Sequence, residues 1–131
     1  DIKFILPMVK SSIEINADEE QLNRAFINLI KNSIESIYER KIKNVDFKGK
    51  ITIDIEDDSD YIYVTIVDNG VGFDKVDKVK MLTPYFTTKK KGTGLGLAIV
   101  TKIISDHNGT ILFNSISGGA KVGITLPKYH E

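Results

Sequence analysis

Two stretches of strict alternation constrain this chain more than anything else in it. Ile51, Ile53 and Ile55 interleave with Thr52, Asp54 and Glu56; Ile62, Val64 and Ile66 interleave with Tyr63, Thr65 and Val67. Successive side chains on a strand point to opposite faces, so each run gathers its aliphatic residues on one side. Asp57-Asp58-Ser59-Asp60 lies between the runs and is made of turn-forming residues. The pair predicts a hairpin with one wet face and one face that must be covered. A lone hairpin is marginal in water, so the rest of the chain has to supply the cover.

Two helical patterns can do so. Asp18 is a candidate N-cap with Gln21 three residues on, as in a capping box. Leu22, Ala25, Phe26, Leu29, Ile30, Ile34 and Ile37 then recur at the helical period, predicting one long amphipathic helix to about Glu39. Lys48-Gly49-Lys50 reads as a break. A second helix is predicted from Gly94 to His107, carrying Leu97, Ile99, Val100, Ile103 and Ile104, with Asn108-Gly109 as its stop. Ile111 to Ile116 and Lys121 to Leu126 predict a closing hairpin around Ser117-Gly118-Gly119, ended by Pro127. Ile2 to Leu6 and Ser12 to Asn16 read as short strands. Residues 74 to 93 have weak periodicity, with a short helix near Val76 to Met81 and a loop from Thr83 to Thr93. The order β-β-α-β-β-loop-α-β-β predicts an α/β fold, a two-layer sandwich whose mixed, mostly antiparallel sheet carries helices on one face.

The 131 residues suit a single domain, 1–131. Lys plus Arg and Asp plus Glu are 18 each, so no global field favours nucleic acid or an anionic membrane, and anion binding has to be local. The chain has no Cys, which excludes disulfides, thiolate metal sites and a Cys nucleophile. No apolar run approaches the roughly 18 residues of a membrane span. A start without Met or a signal pattern reads as a fragment of a longer protein.

Three segments could carry chemistry. Gly92-Thr93-Gly94-Leu95-Gly96-Leu97 opens the second helix, where glycines leave N–H groups open and the helix dipole favours phosphate. Lys89, Lys90 and Lys91 precede it. Leu97 stands where a dinucleotide fingerprint needs Gly, and no Gly-Lys-Ser/Thr follows, so neither familiar phosphate motif applies. A flexible loop with solvated lysines fits these residues equally well. Asn28 and Asn32 lie one turn apart on one face of the first helix. Their carbonyl oxygens suit Mg²⁺, and they also suit plain surface hydrogen bonding. Asp68-Asn69-Gly70-Val71-Gly72 follows a buried strand. A carboxylate there can accept a hydrogen bond from adenine N6, although Asp-Asn-Gly is a turn sequence in any case. Asp57, Asp58 and Asp60 lack the Gly and Glu of a calcium loop and read as a solvated turn. His107 and His130 have no partners for acid–base work.

In order and spacing these segments resemble the ATP-binding catalytic domain of sensor histidine kinases, in the family shared with gyrase, Hsp90 and MutL ATPases. Asn28-Leu29-Ile30-Lys31-Asn32-Ser33 resembles the N box, Asp68 to Phe73 the first Gly box, Pro84-Tyr85-Phe86-Thr87-Thr88-Lys89 the F box and Gly92 to Leu97 the second Gly box. Gly119 to Pro127 resembles the closing hairpin, and the match covers nearly the whole chain. The resemblance implies the Bergerat-type ATP-binding fold. It implies that Asn32 with Asn28 holds Mg²⁺ on the phosphates of ATP. Asp68 would bind adenine N6, with Gly70 in its turn and Gly72 and Thr125 lining the base pocket. Phe86, Thr87, Thr88 and Lys89 would form a lid, and Gly92, Thr93, Gly94, Leu95, Gly96 and Leu97 a phosphate loop, with Lys89 supplying charge.

The ATPase branch carries a Glu one turn before its metal Asn; here Asn28 occupies that place, and an amide cannot take a proton from water. The resemblance therefore implies transfer to a protein histidine, catalysed by Asn28, Asn32 and Lys89. The acceptor would sit in a separate histidine-containing dimerisation domain, with a response regulator downstream. The fragment would be monomeric and cytoplasmic, from a parent that can be anchored in the inner membrane. Thr83 to Lys89 and Asn32 to Ser36 look most like the nitrogen-regulation type.

Overall fold

A computed structural model of the chain describes residues 2–7, 15, 17–72 and 96–129. Its elements are β1 (Ile2–Ile5), α1 (Glu19–Lys43), β2 (Gly49–Asp57), β3 (Tyr61–Asp68), α2 (Gly96–Asp106), β4 (Thr110–Ile116) and β5 (Gly119–Pro127). They form a five-stranded sheet in the order β1-β2-β3-β5-β4. β1 runs parallel to β2 and the other three pairings are antiparallel, giving the mixed sheet expected. The helix near Val76 to Met81 and the loop from Thr83 to Thr93 lie outside the described residues, as does all of the Ser12 to Asn16 strand except Ile15.

Packing follows the alternation. Ile62, Val64 and Ile66 pair in register with Leu126, Ile124 and Val122, and all six are buried. Leu22, Ala25, Leu29 and Ile37 from α1 cover them together with Val100, Ile103 and Ile104 from α2. Tyr61, Tyr63 and Lys121 stand on the opposite, exposed face. Asp68 continues the buried set to the end of β3, opposite Ala120.

Several boundaries differ from expectation by one to four residues, β5 for example starting at Gly119 rather than Lys121, and two of them have a clear physical reason. Helix α1 starts as predicted, with Asp18 Oδ1 accepting the Gln21 N–H at 3.2 Å. It runs on to Lys43, four residues past Glu39. The apolar stripe ends at Ile37, but Arg40, Lys41 and Lys43 are good helix formers that complement the negative helix end. Gly49, read as part of a break, is the first residue of β2. A Cβ there would lie 2.5 Å from Ile37 Cγ2, so the helix passes too close for a side chain.

The two helices are also joined at their ends. His107 Nε2 accepts the Asp18 N–H at 3.0 Å. With Nε2 accepting, Nδ1 carries the proton and donates to the Ile103 carbonyl at 2.7 Å. Asn108 then adopts a left-handed φ of 61° and the Gly109 N–H returns to Ile104 O at 2.9 Å, closing α2 at the expected stop. The β2–β3 turn closes on itself: Asp58 accepts from the Asp60 and Tyr61 amides and, at 2.6 Å, from the Tyr63 hydroxyl. That hydroxyl, with the two amides, holds the Asp58 carboxyl below its ordinary range.

Candidate functional site

The loop after β3 is held from four directions. Asp68 is 6% exposed, and its Oδ1 accepts the Gly70 N–H at 2.9 Å. The Asn69 side chain binds β2, taking the Lys50 N–H at 2.8 Å and donating to Lys48 O at 2.9 Å. Val71 N–H donates to Ser36 O of α1 at 3.3 Å. Arg40, also on α1, reaches the Asn69 and Gly70 carbonyls at 3.0 and 3.3 Å.

Two close approaches explain the small residues in this loop and beside it. A Cβ on Gly70 would sit 2.3 Å from Ser36 Oγ and 2.6 Å from the Ser36 carbonyl carbon. A Cβ on Gly119 would sit 1.8 Å from Asp68 O. The loop is therefore wedged between α1 and the start of β5, with Asp68 fixed at the strand end. This is a rigid carboxylate in a buried setting, suited to one directed hydrogen bond.

A second region lies along the groove between α1 and the start of α2. A cleft of about 890 Å³ is lined by Asp18, Glu20, Arg24, Ile27 and Asn28 from one side and by Gly96 and Ile99 from the other. Its volume is in the range of small-molecule sites. Asn28 and Asn32 are both half-buried, on successive turns of α1. Their amide oxygens are the hard, neutral donors that Mg²⁺ accepts when substrate phosphates and water complete its shell, so the residues present fit that ion. Gly96 begins α2, whose N-terminal amides face no intrahelical acceptor. Leu97 packs against the core, so only its backbone can serve a ligand.

Asn28 and Gly96 thus line this cleft, Asn32 follows one turn further along α1, and the Asp68-Gly70-Gly72 loop meets α1 further on still, at Ser36 and Arg40. Thr125 does not join them. It pairs with Tyr63 and Thr110, five register positions from the Asp68–Ala120 pair, or about 17 Å along the sheet. It also lies on the face opposite Val122, Ile124 and Leu126. The expectation that Thr125 lines the base pocket is corrected: Ala120 is the β5 residue opposite Asp68. Phe86, Thr87, Thr88, Lys89, Gly92, Thr93, Gly94 and Leu95 lie outside the described residues. Three features had no motif behind them: Arg24 in the cleft wall, Arg40 on the loop carbonyls, and the buried Ser36 hydroxyl, which has no hydrogen-bond partner among the described residues. Only the i, i+4 spacing of Arg24 to Asn28 could have drawn attention to the first.

Comparison with known proteins bears on what these regions do. Residues 17–130 match the family described as histidine kinase-, DNA gyrase B- and HSP90-like ATPase. The chain is 39% identical to sporulation kinase A of Bacillus subtilis (strain 168) over 120 residues, 91% of this chain and 18% of that protein. It is 37% identical to nitrogen regulation protein NtrY of Azorhizobium caulinodans over 109 residues, 83% of this chain and 14% of that one. It spans less than a fifth of either relative. Among solved structures, the catalytic domain of histidine kinase ThkA superposes with a TM-score of 0.78 at 32% identity, covering 97% of this chain and 80% of that one.

Proposed function

Because the chain belongs to the histidine kinase-, DNA gyrase B- and HSP90-like ATPase family, as a catalytic domain of the histidine kinase type, we propose that it binds ATP with Mg²⁺ and passes the γ-phosphoryl group to a histidine on a separate dimerisation domain. A response regulator would take the phosphoryl group onward. Among the described residues, no helix is long and apolar enough to cross a membrane.

Each part of the reading has a residue behind it. Asp68, held by its own loop, accepts the exocyclic amine of adenine. Asn28 and Asn32 hold Mg²⁺, which offsets phosphate charge when bound. Gly96 and Leu97 present backbone amides to phosphate at the start of α2, joined by Lys89 and Gly92 to Leu95 from outside the described residues. Phosphoryl transfer needs mainly positioning and charge neutralisation, which these groups can supply.

The observation that separates transfer from hydrolysis is Asn28. It occupies the cleft wall one turn before Asn32, where a general base for water would have to stand. The nearest acidic residue on the α1 side of the described cleft wall is Glu20, eight residues and about 12 Å back along α1. The acceptor imidazole nitrogen needs no such base: it attacks phosphorus with its lone pair, and the bond to the bridging oxygen breaks as ADP leaves. Mixing the chain with candidate dimerisation domains and labelled ATP tests this. Label in acid-labile phosphohistidine is expected; free phosphate as the sole product would assign the chain to hydrolysis.

Two substitutions probe the site. Asn32→Ala is expected to remove most of the Mg²⁺ stimulation of ATP binding, about tenfold, while leaving metal-free ATP nearly unchanged. Calorimetry with and without the metal reads this directly, and full retention of the stimulation would exclude Asn32 as a ligand. Thr125→Val, by contrast, should leave ATP affinity within about twofold, because its place on β5 is remote from Asp68.

A further inference from the structure

Arg40 belongs to no motif, and it is not among the residues that line the cleft. Yet its Nη1 lies 3.0 Å from Asn69 O, 3.3 Å from Gly70 O and 3.4 Å from Gly118 O. One nitrogen with two hydrogens cannot make three full hydrogen bonds, so the shortest, to Asn69, dominates and the others share. The guanidinium carbon rests over the Phe47 ring, 4.5 Å from its centroid, a cation–π contact that helps to hold the group in place. A single side chain therefore ties α1 to the loop after β3 and to the β4–β5 turn.

We propose that Arg40 is the positioning residue for base selection: by gripping the carbonyls on either side of the Gly70 α-carbon it sets the direction in which Asp68 meets the purine amine. This rests on the nucleotide reading given above. The loop's other ties restrain different atoms. Asn69 holds it to β2, and Val71 holds its far side to Ser36. The Asn69 and Gly70 carbonyls are gripped by the guanidinium, and the Gly70 amide is the one that Asp68 Oδ1 accepts. Rotation of the Asn69–Gly70 peptide would carry the Asp68 carboxylate with it. A lysine could supply charge and a donor but not the flat face on Phe47.

The readout is discrimination between ATP and ITP, which replaces the exocyclic amine by a carbonyl. Wild type, Arg40→Met and Arg40→Lys are compared by calorimetry with Mg²⁺ at a temperature well below their unfolding midpoints. In wild type ATP should bind more tightly than ITP. In Arg40→Met the preference should fall about fivefold, chiefly through weaker ATP binding, and Arg40→Lys should lie between. A preference unchanged in Arg40→Met, with only the unfolding midpoint lowered, would make Arg40 a structural staple and overturn the proposal. If Arg40→Met does not fold, an unchanged preference in Arg40→Lys overturns it equally. Wild type binding ATP and ITP alike would instead remove the assignment of Asp68 to the base, and the role of Arg40 with it.

Discussion

Asp68→Asn is expected to weaken Mg²⁺-ATP binding about 100-fold and to leave inorganic tripolyphosphate within about twofold. The magnitude follows from losing a buried, charge-assisted hydrogen bond, roughly 1.5–3 kcal/mol. Asp68 is buried at a strand end, and its Oδ1 already takes the Gly70 amide, which an asparagine carbonyl can still do. The loop therefore keeps its shape while the second oxygen becomes an amide that faces the adenine amine donor to donor. Calorimetry with both ligands reads the split. Equal losses for ATP and tripolyphosphate would mean that the substitution disturbed the whole cleft and that Asp68 has no private role with the base.

Gly119→Ala is expected to lower the unfolding midpoint by about 10 °C or more. Its Cβ would lie 1.8 Å from Asp68 O, 2.8 Å from Asp68 C and 2.9 Å from the Asn69 α-carbon, all of them backbone atoms that cannot rotate aside. Relief requires pulling β5 from β3 at the Asp68–Ala120 pair, and overpacking of this kind costs about 3 kcal/mol or more. Gly123→Ala on the same strand is the control. Nothing lies within 4 Å of its Cβ, so its midpoint should move by no more than about 2 °C. Circular dichroism melts decide the matter; equal midpoints for the two variants would show that the contact at Gly119 relaxes cheaply. Weaker ATP binding by folded Gly119→Ala would follow from the same displacement of Asp68.

How legible this was varied by the kind of constraint. The hairpin of β2 and β3 and the core face of α1 were visible because burial imposes periods of 2 and 3.6 on the residues themselves. Asn28, Asn32 and Asp68 stood out because each polar group sits where the apolar pattern leaves a gap. The end of α1 was missed because helix propensity outlasted the buried stripe: Ile42 is helical and 81% exposed. Gly49 was misread because its smallness answers to Ile37, a neighbour distant in sequence. Thr125 came only from the resemblance of the closing hairpin, although the alternation of Val122, Ile124 and Leu126 already turns it to the other face. Arg40 left no trace at all, since its acceptors are carbonyls, which every residue has.

The bond between the Asp18 amide and His107 has a mechanical consequence. It pins the beginning of one helix to the end of the other, so a change in the angle between them acts as a lever about that corner. Asn28 lies ten residues, about 15 Å, further along the arm, and Gly96 is at the opposite end of the shorter one. Any such change would open the groove most at Asn28 and Gly96 and least at the Asp18–His107 corner.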